Sequence, residues 1–323
     1  MLEQTPAPPQ VSVVIPMYNE QENVAHTVSA VRDALDRAGY AWEMLLVNDG
    51  SRDDTLALAQ EQARQDARVR VFSYSENGGQ GKAMKLGFTH ACGEIVATID
   101  ADLSYDATQL ADVVEALCAR PDVDIMIGSP YMEGGAALGV PTFRLFVSRM
   151  ANRLICAALN SSVSTATGIL RAYRRAALQA IWLESDGPEI NIEALSKALA
   201  HGLCVRETPA VLRGRERGKS KIRFSLTTRT YLIFSLFEKP ILLFGALGLL
   251  MIALGGVVAI YLLLDYFTGR LNPERPLMTV MMLLFLLGLQ FFSFGFLGSQ
   301  LAQLRQEVYR LQSRARQQRE HDK

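Results

Sequence analysis

The chain has 323 residues, with Lys plus Arg and Asp plus Glu both totalling 33, and four cysteines (Cys92, Cys118, Cys156, Cys204) far apart in sequence. Zero net charge gives no pointer to nucleic acid, and cysteines without C-x-x-C or histidine spacing argue against a disulfide framework or a zinc site and for reduced core thiols. The length suffices for one large domain or two.

Met1 to Gln10, Pro-rich and lacking a basic start or an apolar run, reads as a flexible N-terminus without a signal peptide. VSVVIP (11–16) predicts a strand, and Glu20 to Ala38 a helix with Val24, Val28, Val31 and Leu35 on one face. WEMLLV (42–47) precedes a helix over Asp53 to Gln65, and RVRVFSY (68–74) one over Gln80 to Ala91. EIVATI (94–99) precedes a helix over Thr108 to Arg120, and DIMIGS (124–129) is a fifth strand. Strands separated by single helices imply right-handed crossovers, hence a Rossmann-like, mostly parallel α/β sheet over residues 11–212. Ligands of such sheets bind at the carboxyl ends of the strands.

The chain then changes character. Residues 213–239 open with a ladder of cations at every second position, Arg213, Arg215, Arg217, Lys219, Lys221 and Arg223, with Glu216 the single acid among them. If extended, all six face one way, either as a solvated strand or toward phosphates and lipid headgroups. Leu226 to Phe237 predicts an amphipathic interfacial segment. Pro240 to Leu264 and Leu277 to Leu304 carry no charge over 25 and 28 residues. At roughly 1.5 Å per residue each exceeds a ~30 Å hydrocarbon core, which predicts a two-helix transmembrane hairpin over 240–304. Basic residues precede the first span and fill the tail at 305–323, so the positive-inside bias places the α/β domain and both termini in the cytoplasm, on the inner membrane.

ATIDADLSYD (97–106) poses the functional question, because an apolar strand ends in Asp100 and Asp102 with only Ala101 between them. Carboxylates at i and i+2 of an extended segment share a side and repel unless a cation or donors sit between them. A turn with a helix cap from Asp102, Ser104 or Asp106 is the plain alternative. Polar clusters follow three other strands: Tyr18-Asn19-Glu20, Asn48-Asp49-Gly50-Ser51 and Glu76-Asn77-Gly78-Gly79. The rim has no G-x-G-x-x-G, no G-x-x-x-x-G-K-[ST] and no G-x-S-x-G, and His26, His90, His201 and His321 read as surface residues. Acidic groups and backbone amides remain, suited to a phosphorylated ligand held through a hard cation such as Mg2+ or Mn2+.

VVIPMYNEQENV, LLVNDGSRDDT, ENGGQGKAMKLGF and ATIDADLSYD together resemble the nucleotide-diphospho-sugar domain of family 2 glycosyltransferases, the GT-A fold. GSPYMEGG, FRLFVSRMAN, ATGILRAYRRAAL and RERGKSK, with the two spans, resemble the polyprenyl-phosphate sugar transferases around dolichyl-phosphate mannose synthase. The resemblance implies a nucleotide-diphospho-sugar donor bound by Pro16, Tyr18, Glu20, Val47, Asp49, Asp100, Ala101, Ser104, Arg215 and Lys221. It implies catalysis and metal binding by Asp100 and Asp102, and a polyprenyl phosphate acceptor (undecaprenyl or dolichyl type) met by Arg144, Ser148 and Arg171. Pro130 departs from it, standing where the group has an arginine after Gly128-Ser129.

A lipid phosphate is already a nucleophile at neutral pH, so the implied inverting transfer needs positioning and charge stabilisation more than a general base. The other readings are a processive polysaccharide synthase, for which Q-x-x-R-W and further spans are missing, and a non-catalytic membrane-tethered binder, against which the D-x-D argues. The spans would anchor the protein in membrane lipid and allow a homo-oligomer.

Overall fold

A computed structural model describes residues 9–214, 244–268 and 276–321. The chain divides into an α/β unit and a helical unit. Arg213 is described, but the ladder from Arg215 onward, with Arg215 and Lys221, the segment 226–237 and the first eight residues lie outside the described residues.

In the α/β unit, strands β1 (Val11–Met17), β2 (Trp42–Asp49), β3 (Val69–Tyr74), β4 (Ile95–Thr98) and β5 (Ile125–Ser129) alternate with helices α1 (Val24–Arg37), α2 (Thr55–Gln65), α3 (Gln80–His90) and α4 (Ala107–Cys118). Then come β6 (Ala136–Leu138), α5 (Thr142–Ala158), β7 (Arg171–Arg174), α6 (Arg175–Ala180), α7 (Ile190–Ala200), β8 (Val205–Pro209) and β9 (Val211–Arg213). The seven-stranded sheet runs β3-β2-β1-β4-β7-β5-β8. It is parallel except for β7, which pairs antiparallel with β4 and β5. β6 and β9 form a separate parallel pair.

Helices on both faces explain why β1, β2 and β4 are continuous apolar runs. Val11, Val13, Ile15, Met44, Leu46 and Ala97 meet Val28, Val31, Leu35, Leu110 and Val114 of α1 and α4 in one buried core.

Strand order reverses at β1, and a proline opens the crevice there. Val14 O accepts from Ile99 N and Gln10 O from Ile95 N, so the even-numbered residues of β1 face β4. Pro16 is next in that series and has no N–H to give. Pairing with β4 stops at Val14–Thr98, whereas pairing with β2 continues to Met17–Asn48. The carboxyl ends of β1 and β4 therefore separate at the topological switch point, where open α/β sheets bind ligands.

The helical unit contains α8 (Ala246–Phe267) and α9 (Pro276–His321), each with a stretch long and apolar enough to cross a membrane. Their large apolar side chains are mostly exposed, unlike those of a soluble core helix. The helices approach through small residues: a Cβ on Gly248 would come within 2.6 Å of Gly288 O. The second helix continues through the basic tail instead of ending near Leu304.

Candidate active site

Loops at the carboxyl ends of β1, β2, β3 and β4 are stitched into one rim. Asn19, in the left-handed region at φ 51°, donates its N–H to Ser51 Oγ at 2.9 Å and accepts from Arg52 N at 2.7 Å. Glu20 N donates to Thr55 Oγ1 at 2.7 Å, while its side chain accepts from Asn23 Nδ2 at 2.6 Å. These bonds fix the Tyr18–Glu20 loop against the start of α2, and Tyr18 and Glu20 are half-buried at the rim.

Asp49 is a loop organiser. Its Oδ1 accepts from Tyr74 Oη at 2.7 Å and Gly78 N at 2.7 Å, and its Oδ2 from Asn77 Nδ2 at 2.8 Å and Gly79 N at 3.0 Å. Burial, and then this bond to Asp49, push the Tyr74 phenol up and keep it a donor. Val47 has no exposed surface and lies between β1 and β3, so any part it takes in binding is through the scaffold.

The glycine-rich loop before α3 looks like a phosphate cradle, but its glycines serve close packing. The first amides of α3 are already spent on protein, with Gly81 N and Lys82 N donating to Asp186 O at 2.7 and 3.2 Å. A Cβ on Gly79 would lie 2.4 Å from Asp186 O, and one on Gly81 2.3 Å from Ser185 O. Glu193 holds this 184–187 loop from behind, accepting from Glu184 N at 2.9 Å, Ser185 N at 2.8 Å and Lys197 Nζ at 2.7 Å.

The two aspartates stand on a turn, not on an extended strand end, since Leu103 N donates back to Asp100 O at 3.2 Å. Leu103 is left-handed at φ 49°, an uncommon conformation for a branched residue, and it reverses the chain immediately after Asp102. The capping alternative resolves cleanly: Asp106 caps α4, accepting from Thr108 N at 2.9 Å. Asp102 Oδ1 instead accepts from Ser104 N at 2.9 Å and Ser104 Oγ at 2.7 Å. Asp100 Oδ1 accepts from Gln80 Nε2 at 3.3 Å, and Thr27 Oγ1 clamps Ala101 O at 2.6 Å. The end of β9 passes beside this turn, with Arg213 N donating to Ser104 O at 2.8 Å. Among the described residues no three His, Cys, Asp or Glu side chains cluster as a self-sufficient metal cage. Two carboxylates at a rim fit a cation that takes its remaining ligands from a bound phosphate and water, the usual manner of Mg2+.

The end of β5 lies on the same sheet edge, because β4 and β5 both run opposite to β7 between them. It is two strand spacings from β4, about 10 Å. There Tyr131 Oη and Ser148 Oγ of α5 are 2.7 Å apart, and the Arg149 guanidinium lies 5.7 Å from the Tyr131 ring centre. Arg144 is exposed one turn before Ser148 on the same side of α5. Gln80, Tyr131 and Arg149 were not singled out from the sequence, although each lies inside a motif that was, ENGGQGKAMKLGF, GSPYMEGG and FRLFVSRMAN.

Arg171 is a correction. It is fully buried, and its guanidinium donates to Gly168 O at 2.8 Å, Asn191 O at 2.7 Å and Ala166 O at 2.6 Å. A side chain so enclosed does not meet a lipid phosphate; it ties the entry of β7 to α7. The thiols also differ from expectation: Cys92 and Cys118 are exposed, Cys156 is buried and Cys204 half-buried. His26 is exposed, and His90 stacks on Phe72 with ring centres 4.3 Å apart.

The family model described as "Glycosyl transferase family 2" matches residues 12–182, more than half of the chain. The chain belongs to glycosyl transferase family 2. This glycosyltransferase is 31% identical over 305 residues to the undecaprenyl-phosphate 4-deoxy-4-formamido-L-arabinose transferase of Edwardsiella ictaluri (strain 93-146), covering 92% of this chain and 90% of that one. It is 30% identical to the protein of that name from Klebsiella pneumoniae (strain 342), covering 93% and 90%. Among solved structures it resembles glucosyl-3-phosphoglycerate synthase of Mycobacterium tuberculosis, crystallised with Mn2+, UDP and glucosyl-3-phosphoglycerate. That likeness has a TM-score of 0.55 and 20% identity, covering 71% of this chain and 79% of that one, and it bears on the GT-A fold alone.

Proposed function

We propose that this glycosyltransferase moves a sugar from a nucleotide-diphospho-sugar to undecaprenyl phosphate or a similar polyprenyl phosphate, with inversion, at the cytoplasmic face of the inner membrane. The observation that carries this reading is the match to undecaprenyl-phosphate sugar transferases along more than nine-tenths of the chain.

The nucleoside sits over the Pro16–Glu20 loop and the Asp49 loop, with its diphosphate directed to Asp100 and Asp102. Those two carboxylates hold Mg2+ or Mn2+, which when bound neutralises charge on the departing diphosphate. Ser104 fixes the Asp102 rotamer, and Gln80 steadies Asp100. The backbone bond from Arg213 to Ser104 sets the start of the basic ladder beside this turn, which supports Arg215 and Lys221 as partners of the diphosphate. At the β5 end, Arg144 and Ser148 receive the acceptor phosphate, and Arg149 supplies the second guanidinium where Pro130 offers none. The acceptor oxygen is already anionic, so these residues align two anions and need not remove a proton.

The test is a panel of UDP- and GDP-sugars with undecaprenyl phosphate and the protein in nanodiscs, following which radiolabel enters the lipid phase. Transfer of one label with metal and none with chelator is the expected result. Hydrolysis without lipid labelling across the whole panel overturns the reading.

A further inference from the structure

Tyr105 is a core residue with one loose end. It is 4% exposed and belongs to the main core with Leu110, Leu170 and Ala210, while its backbone bridges to Leu212. Among the described residues its hydroxyl has no hydrogen-bond partner. A buried tyrosine ordinarily finds one, because leaving the O–H unpaired costs free energy. Gly168, partly exposed, leaves the hydroxyl uncovered: a Cβ there would stand 3.6 Å from Tyr105 Oη.

The position of that hydroxyl follows from β7. Running opposite to β4 and β5, β7 begins at the carboxyl edge, and residues 168–170 lead into it between the ends of its neighbours. Thr98 Oγ1 of β4 donates to Ile169 O, and Gly128 N of β5 donates to Leu170 O at 2.9 Å. The strip from Gly168 to Leu170 therefore floors the gap between the Asp100–Asp102 turn and the Tyr131–Ser148 pair, and Tyr105 Oη reaches it at Gly168. Burial, and then Tyr131 and Asp100 from the two sides of the gap, push the phenol up against the opposing pull of Arg171. It is a neutral donor at physiological pH.

Under the proposed reaction, on which this inference rests, the sugar crosses that strip. Its anomeric carbon lies in line between the departing diphosphate at Asp100 and Asp102 and the incoming phosphate at Arg144 and Ser148. We propose that Tyr105 reads the transferred sugar, its Oη donating past Gly168 to a hydroxyl or other oxygen substituent of the donor's sugar ring. The phenol is uncharged and stands away from the nucleoside loops, so its contribution is confined to the sugar. A buried donor of this kind favours a sugar that offers the oxygen and rejects one that leaves the donor unpaired.

The experiment compares the full chain and Tyr105→Phe in nanodiscs with Mn2+, by calorimetry and by thermal melts. The probes are UDP and GDP, then UDP-glucose, UDP-N-acetylglucosamine, UDP-L-arabinose and GDP-mannose. The variant should bind the tightest of these nucleotide sugars roughly two- to tenfold more weakly, the loss of one neutral hydrogen bond. Its Kd for the matching free nucleotide should stay within about twofold. Since the hydroxyl bonds to no protein group, the unliganded midpoint should be unchanged or raised. Unchanged Kd values for every nucleotide sugar overturn the proposal, as does equal weakening of nucleotide and nucleotide sugar. A lowered unliganded midpoint also overturns it, by showing that the hydroxyl serves the protein. If the wild-type chain binds none of the probes, the donor reading falls and Tyr105 with it. A selective loss in the variant without labelling of undecaprenyl phosphate would keep Tyr105 at the sugar and remove only the proposed acceptor.

Discussion

Tyr131 and Ser148 place their hydroxyl oxygens 2.7 Å apart, joining the loop after β5 to the second turn of α5. Whichever group donates, the pair retains one O–H for an anion beside Arg144 and Arg149. Tyr131→Phe removes a single hydrogen bond, worth about 0.5–1.5 kcal/mol. The expected outcome is a two- to tenfold rise in the KM for polyprenyl phosphate. Arg144→Ala, losing a charge-assisted bond of about 1.5–3 kcal/mol, should cost roughly ten- to a hundredfold in acceptor use. Calorimetry of nucleotide-sugar binding should give wild-type affinity in both variants; weakened donor binding would move these residues to the other substrate.

Asp102→Asn should keep the turn, because an amide oxygen still accepts from Ser104 N and Oγ. With one anionic ligand removed, turnover should fall by about 10²–10³-fold, comparable to losing one preorganised electrostatic contact elsewhere. Mn2+ affinity, followed by electron paramagnetic resonance with UDP present, should weaken alongside. An unchanged Mn2+ titration would dismiss the metal role.

Arg171→Met should act on stability. Three carbonyls, of Ala166, Gly168 and Asn191, lose their donor in the interior. At about 1–3 kcal/mol for each unsatisfied group the loss is several kcal/mol, enough to lower the melting midpoint of the full chain in detergent by about 6–12 °C. Acceptor KM, measured below the transition, should stay within about twofold. A large KM effect with an unchanged midpoint would restore Arg171 to the acceptor site.

Gly81→Ala inverts the usual helix preference. Alanine ordinarily gains about 1 kcal/mol over glycine inside a helix. Here the new Cβ would stand 2.3 Å from Ser185 O, a backbone atom. Thermal melts should therefore show the alanine variant less stable, and equal or greater stability would mean that the 184–187 loop moves aside freely.

Glu193 links this loop to pH. Burial pushes its carboxyl up, but the bonds from Lys197, Ser185 N and Glu184 N outweigh that and hold it below the ordinary 4.5. A folded-state value lower than the unfolded one adds stability that is fully present above the unfolded value and disappears as pH falls through the folded one. Urea midpoints should hold from neutral pH down toward 4.5 and drop on further acidification. Glu193→Gln should be less stable at neutral pH and respond less to acid; equal acid sensitivity would place the titrating group elsewhere.

The alternation of strands and helices was legible because burial on both faces demands continuous apolar strands and one-sided helices, and both periods are local. Strand and helix ends from Val11 to Ser129 came within a few residues for that reason. The polar clusters after β1, β2 and β4 were legible too, since Asp49, Asp100 and Asp102 interrupt apolar runs where a core strand has no reason to stop. The two long apolar helices were legible from the length and composition of their uncharged runs.

What a residue does there depended on partners distant in sequence, and no local pattern carries that. Arg171 reads as a phosphate ligand in its motif, yet carbonyls from positions 166, 168 and 191 enclose it. The glycines of ENGGQGK read only as part of a polar cluster after a strand until the 184–187 loop arrives against them. Insertion of β7 between β4 and β5 decided that Tyr131 and Ser148 share the edge that bears Asp100. Periodicity along α5 marks apolar positions but not which of two apolar sides the protein covers, because burial is a property of what packs against a helix and not of the helix itself.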